Sequence, residues 1–182
     1  MKAFKVILVL VTALCLGGCY DNPLTIGSSR GIDERLLGSW QYHEKNEKVG
    51  YTSFMRRGGE EYFVRTSEAG KKPSYFRAYF STIDGVDILN VQEMGNSIKV
   101  GKGKYYFFTY QIIPQGKLIL STIDLDSRQS APSLVLRREI SEKLAEGKLK
   151  LEPQTFTMVR SVKVMSRTAF IMAPASFSGG WA

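Results

Sequence analysis

Eight short runs of apolar and aromatic residues, separated by turn-forming residues, constrain the fold of this chain more than any other feature. Separators such as Asp84-Gly85 and Pro114-Gln115-Gly116 are typical of tight turns between antiparallel strands. The predicted strands are residues 38–43, 51–56, 61–66, 75–83, 86–92, 105–113, 117–123 and 154–160. Because an open sheet leaves unpaired edges, the sequence predicts a mainly β domain in which an antiparallel meander of about eight strands closes as a small barrel.

One helix is predicted between the last two strands. It begins at Ala131-Pro132-Ser133 and continues a rough 3.6-residue apolar pattern to Gly147. Gly147 is a natural stop because glycine readily adopts the conformation that ends a helix. Ser141 is an alternative start, which would make a second and shorter helix.

Two of the predicted strands carry large side chains at successive positions. Such strands suit either a ring-lined pocket or a second surface covered by the helix and the C-terminal tail. On the first interpretation, the candidate ligand-lining residues are Tyr75, Arg77, Tyr79, Tyr106, Phe108 and Tyr110.

The N-terminal segment has the pattern of a secretory signal. Lys2 and Lys5 precede an apolar run over residues 6–16. As a helix this run would extend about 16 Å, roughly half of a bilayer's hydrocarbon core. It is therefore too short for a stable span and typical of a signal-peptide core.

The end of that segment, Leu16-Gly17-Gly18-Cys19, resembles the lipobox of bacterial lipoproteins. The resemblance implies cleavage between Gly18 and Cys19, a diacylglycerol on the Cys19 thiol, and an acyl group such as palmitate on the new amino terminus. Two or three acyl chains would hold the protein on the membrane essentially permanently. Tyr20 follows where an aspartate retains some relatives at the inner membrane, so the resemblance implies the outer membrane, facing the periplasm.

These features predict a single folded domain between two terminal segments. Residues 1–18 are the expected signal peptide. Residues 19–31 are polar and rich in turn formers, and they are interpreted as a tether. Residues 32–160 are the expected barrel domain, and residues 161–182 form a C-terminal tail of uncertain structure.

The start of the first predicted strand, Gly38-Ser39-Trp40, resembles the opening of lipocalin-like barrels. In that family the glycine permits tight entry into the strand, and the tryptophan plugs the closed end beneath an arginine. The resemblance implies a barrel plug made of Gly38, Trp40 and Arg160. The alternative is that Trp40 is a core residue of another β fold.

The sequence contains no recognisable combination of residues that supports catalysis or cofactor binding. His43 is the only histidine, and the expected mature chain keeps only one cysteine, Cys19. Asp84, Asp87, Asp124 and Asp126 lie where turns are expected, as is normal for aspartate. The formal net charge of +8 falls to about +6 without the signal peptide, and no basic-aromatic nucleic-acid motif accompanies it. We therefore expect no enzyme, cofactor, metal or nucleic-acid partner.

The sequence predicts a lipid-anchored envelope lipoprotein that acts as a non-enzymatic binding or interaction module. Its partners would be the membrane, through the N-terminal lipid, and either an envelope protein or a small apolar ligand. One alternative is a lipocalin-like carrier of an apolar or amphipathic molecule, which needs a hollow interior. A second is an envelope enzyme, which needs at least two perturbed titratable groups in one cleft.

Overall fold

A closed antiparallel barrel is the main feature of the computed structural model, which describes residues 19–43, 48–94, 103–114 and 116–159. Each strand pairs with its neighbour in sequence, and the last strand closes the barrel on the first at Trp40 and Met158. The strands are β1 (Gly38–His43), β2 (Val49–Arg57), β3 (Glu61–Glu68), β4 (Ser74–Ile83), β5 (Val86–Glu93), β6 (Tyr105–Ile113), β7 (Lys117–Asp124) and β8 (Lys150–Met158). One helix, α1 (Ser133–Ala145), connects β7 to β8. The predicted fold class is confirmed.

The last strand differs most from its predicted bounds, because β8 begins four residues before residue 154. The sequence pattern does not predict a strand at the start of β8, because Pro153 and the charged residues around it disfavour one. In the structure, Pro153 lies opposite Ser121 of β7, while β1 pairs only with Thr157 and Met158 of β8. Pro153 therefore lies within the β7–β8 ladder, beyond the part of β8 that pairs with the described residues of β1. Residue 160 lies outside the described residues.

The helix runs as one element from Ser133, as the first alternative predicted. Pro132 occupies the position before it, and Gly147 follows its last turn with a φ of +64°. Ser141, the alternative start, lies inside the helix.

The barrel interior holds a core of interlocking rings. The centroid of the Tyr62 ring lies 5.8 Å from the centroid of the Phe54 ring and 5.9 Å from that of the Phe80 ring. Both contacts are edge-to-face. The buried members of this interior core are Leu36, Trp40, Tyr42, Phe54, Tyr62, Val64, Ala78, Phe80, Leu89, Leu118, Leu120 and Phe156.

A second core lies outside the barrel wall, on β4 to β7. There α1 and the residues before β1 cover the outward side chains of the strands. The buried members of this outer core are Tyr20, Leu24, Ile83, Ile88, Phe107, Ile123, Leu125, Ala131, Leu136 and Ile140. This second layer explains why β4 and β6 carry large side chains on both faces. The helix forms part of the cover, as predicted, and the residues before β1 form another part, whereas the C-terminal tail lies outside the described residues.

The segment interpreted as a tether is instead packed onto the barrel over residues 20–30, which we call the N-terminal strap. Tyr20 exchanges two backbone hydrogen bonds with Tyr105, of 2.8 and 2.7 Å. Further along, the Leu24 N–H donates to the Asn90 side chain at 3.0 Å, and the Ser29 N–H donates to the Phe80 carbonyl at 2.8 Å. Turn-forming composition correctly indicated irregular backbone, but it carries no information on whether that backbone has packing partners.

Candidate functional site

The predicted barrel plug lies partly within the described residues. Gly38 has a φ of +127°, a conformation that glycine adopts far more readily than other residues, and it turns the chain into β1. Trp40 is fully buried, and its indole N–H donates to the Leu36 carbonyl at 2.9 Å. Trp40 thus lies where β1 enters the barrel, at the end we call the closed end. Arg160, the expected arginine, lies outside the described residues.

An arginine that sequence reasoning missed, Arg30, crosses the closed end from the strap. Its guanidinium carbon lies 4.3 Å from the centre of the Phe80 ring. One terminal nitrogen donates to the Tyr110 hydroxyl at 2.9 Å, and the other lies 3.0 Å from an Asp87 carboxylate oxygen. No periodic pattern marks Arg30 in the sequence, because it belongs to the irregular strap.

Asp33 completes this closed-end cluster. It accepts hydrogen bonds from Arg35 and from the Tyr110 hydroxyl, each at 2.9 Å. The Arg35 guanidinium lowers the pKa of the Asp33 carboxyl to about 2, so it stays ionised at neutral pH and is a weak base. The Tyr62 hydroxyl donates to the Asp33 carbonyl at 3.1 Å, and burial raises the pKa of Tyr62. This arrangement fixes the strap across the closed end rather than preparing a proton transfer.

The six predicted ligand-lining residues do not share one cavity, because the strand alternation places them on opposite sides of the wall. Tyr106, Phe108 and Tyr110 alternate with the outer-core residue Phe107, so they point into the barrel. The other three belong to the outer face of β4.

Each of those three outward residues has a partner outside the barrel. Tyr79 lies beneath the strap and donates its hydroxyl to the Thr25 carbonyl at 2.7 Å. Arg77 donates to Glu61, with Nε 2.9 Å from the carboxylate. Tyr75 stacks on the Phe63 ring of β3. The residues of β4 that point inward are Phe76, Ala78 and Phe80.

Rings also occupy the end of the barrel opposite the closed end. Tyr42 lies directly over Gly50, where an added Cβ would come 2.2 Å from the Tyr42 ring. The same ring lies 5.2 Å from Phe156, and its hydroxyl donates to Glu68 at 3.3 Å. Large side chains therefore occupy interior positions at both ends, while the inward-facing Tyr106, Phe108 and Tyr110 are partly buried.

The outer face of β2 to β4 carries large side chains that neither the strap nor α1 covers. Tyr51 and Met55 are each 41% exposed, and Tyr75 is 38% exposed. Phe63 lies opposite Met55 across the β2–β3 ladder and stacks on Tyr75 with ring centroids 5.7 Å apart. Arg65 is exposed between these strands and pairs in register with Tyr75. We call these five residues the outer aromatic face.

Cys19, the predicted lipidation site, is the first described residue. Its thiol is free and half-buried, and it directly precedes the fully packed Tyr20. Gly18, on the other side of the predicted cleavage, lies outside the described residues.

The remaining candidates for chemistry have structural partners. Asp87 accepts from Thr82 at 2.8 Å as well as from Arg30, and Asp126 lies 2.7 Å from the Lys143 ammonium. The side chain of exposed His43 lies 3.2 Å from Gln41. Within residues 19–43, 48–94, 103–114 and 116–159, no three His, Cys, Asp or Glu side chains group as metal ligands. The same ranges hold no helix with the length and apolarity to span a membrane.

Comparisons with protein-family models, with curated proteins and with solved structures each returned no match to this chain. The lipobox and lipocalin resemblances therefore stay predictions from short motifs.

Proposed function

We propose that this protein is a lipid-anchored cell-envelope lipoprotein whose barrel serves as a non-enzymatic interaction module. The observation that carries the proposal is the exposed outer aromatic face, which neither the strap nor α1 covers. The expected location is the outer membrane, facing the periplasm.

The anchor half of the proposal rests on Leu16-Gly17-Gly18-Cys19 and on the apolar segment before it. Cleavage before Cys19 would leave the buried Tyr20 as the second residue of the mature chain. The thiol has no disulfide partner among the described residues.

The interaction half rests on which outer surfaces are covered. The strap and α1 bury outward side chains such as Ile88, Phe107 and Ile123. By contrast, Tyr51 and Met55 of β2 and Tyr75 at the start of β4 are exposed. Aromatic residues, methionine and arginine are the types enriched at protein interfaces. The outer aromatic face combines all three, which favours another envelope protein as its partner.

The two alternatives have less support. A carrier needs an apolar space that holds most of a ligand. The interior rings of Tyr42, Phe54 and Phe80 are buried among other core side chains, whereas the inward-facing Phe108 and Tyr110 are partly buried. An enzyme needs a cleft with poised titratable groups, and the closed-end cluster holds Asp33 in its ionised, fully bonded state.

Intact mass spectrometry of the membrane fraction tests the anchor. We expect a chain that lacks residues 1–18 and carries added diacylglycerol and acyl mass. Cys19→Ala should abolish both changes and release the protein from its stable membrane attachment, because the thiol is the nucleophile that takes the lipid. Cys15→Ala is the matched control and should be processed normally. An unmodified wild-type chain starting at Met1 would overturn the proposed anchor.

Site-specific photo-crosslinking in intact cells tests the interaction surface. A crosslinker at Met55 should yield one or a few discrete protein adducts, whereas the same group at the exposed Glu142 of α1 should not. Phe63→Ser should reduce the Met55 adducts several-fold, since it removes the ring opposite that position. The same adduct pattern from both crosslinker positions, or no adducts from Met55, would contradict the assignment of this face.

A further inference from the structure

The position of Cys19 constrains how the barrel meets the membrane, on the condition that the proposed lipidation occurs. Tyr20 is hydrogen-bonded to Tyr105 at the first residue of β6 and is only 2% exposed. A single residue spans at most about 3.6 Å. The lipid would therefore attach directly against the barrel, with no free length of chain to let the domain turn away.

The surface beside Cys19 includes the start of α1. The Asp21 N–H donates to the Gln129 carbonyl at 2.9 Å, and the Asn22 side chain donates to the Ala131 carbonyl at 3.0 Å. These two bonds hold the strap against the residues that lead into the helix. In the first turn of that helix, Leu134 is 67% exposed and Val135 is 44% exposed.

Basic residues flank these exposed apolar side chains. Arg138 follows Leu134 by one helical turn, so the two share a stripe on the side away from buried Leu136 and Ile140. Arg137 is exposed beside them, and Lys104 forms an ion pair with Asp21 next to the strap. Apolar residues combined with Lys or Arg are typical of helices that lie in the interface of an anionic bilayer.

We propose that the anchored protein rests on the bilayer through an anchor face formed by Cys19, Lys104, Leu134, Val135 and Arg138. Leu134 and Val135 enter the boundary between headgroups and acyl chains, and Arg138 meets lipid phosphates. The occupant of this face is the bilayer because the acyl chains on Cys19 enter it there. β2 lies four strands away from β6 around the eight-stranded barrel, and Tyr20 pairs with Tyr105 at the start of β6. Met55 on β2 therefore faces away from the proposed lipid attachment point, toward protein partners.

Fluorescence quenching on the full lipidated protein tests this orientation. Removal of the signal peptide and lipidation of Cys19 leave no other free thiol, so Leu134→Cys can be labelled selectively with a fluorophore. Met55→Cys is the matched control, since Met55 is also an exposed apolar residue but lies across the barrel. In protein-free vesicles of phosphatidylethanolamine and phosphatidylglycerol, we expect aqueous iodide to quench the label at residue 134 several-fold less than the label at residue 55.

Three other results would overturn this orientation. Equal quenching at the two positions, with acyl chains confirmed by mass, overturns the orientation but leaves the anchor intact. Protection of residue 134 in native membranes but not in protein-free vesicles assigns the face to another protein. Absence of acyl mass overturns the proposed anchor and the orientation together.

Discussion

Replacing Tyr20 with alanine is expected to lower the free energy of unfolding by about 3–5 kcal/mol, the usual cost of truncating a buried aromatic residue. The Tyr20 ring stacks on Phe107 with centroids 5.0 Å apart. Its hydroxyl accepts a 3.0 Å hydrogen bond from the Leu125 N–H. The substitution therefore opens a cavity in the outer core and leaves a buried donor unpaired.

Ile26→Ala is the matched control because Ile26 belongs to the same strap but is 93% exposed. We expect it to change stability by less than about 0.5 kcal/mol. Chemical denaturation of the chain from residue 19 onward, with Cys19 replaced by serine, measures both variants. A free tether would make the two substitutions equally harmless, and that outcome would contradict the packed strap.

Phe80→Ala is expected to destabilise the protein by a similar amount, about 3–5 kcal/mol. Phe80 is fully buried at the closed end, and its ring lies between Tyr62, Tyr110 and the Arg30 guanidinium. Removing it takes away edge-to-face contacts and the aromatic surface beneath Arg30.

Tyr75→Ala, on the outer face of the same strand, serves as the comparison for Phe80→Ala. Tyr75 is 38% exposed and its main contact is the stacked Phe63 ring. We expect a cost of about 1 kcal/mol or less, in the range of one cross-strand pair. If Tyr75→Ala cost as much as Phe80→Ala, or if Phe80→Ala were harmless, the assignment of the two faces of β4 would be wrong.

Together the proposed anchor and the packed strap give each side of the barrel a separate role. The strap runs from Cys19, the proposed lipid attachment point, to the closed end, where Arg30 and Asp33 fix it. The proposed bilayer contact uses α1 and β6, and the proposed partner contact uses β2 to β4. Destabilising the strap should therefore affect both orientation and partner binding, whereas changes on the outer aromatic face should affect binding alone.

The alternation of side chains along β4 was visible in the sequence. The sequence did not show which of the two alternating sets points into the barrel and which points outward. A strand with Tyr75, Arg77 and Tyr79 on one side and Phe76, Ala78 and Phe80 on the other has two faces that can both be buried. The choice depends on what covers the outside. For β4 the cover comes from the strap and from α1, which are far away in sequence, so local patterning could not identify the lining residues.

The sequence by itself determined the eight strands, the helix between β7 and β8 and the meander topology. These follow from local alternation and turn chemistry, which act over a few residues. Only the tertiary structure decided that residues 20–30 pack on the barrel, that Arg30 covers Phe80 and that Pro153 belongs to β8. Each of these depends on contacts between residues distant in the chain, whose energies no local pattern records.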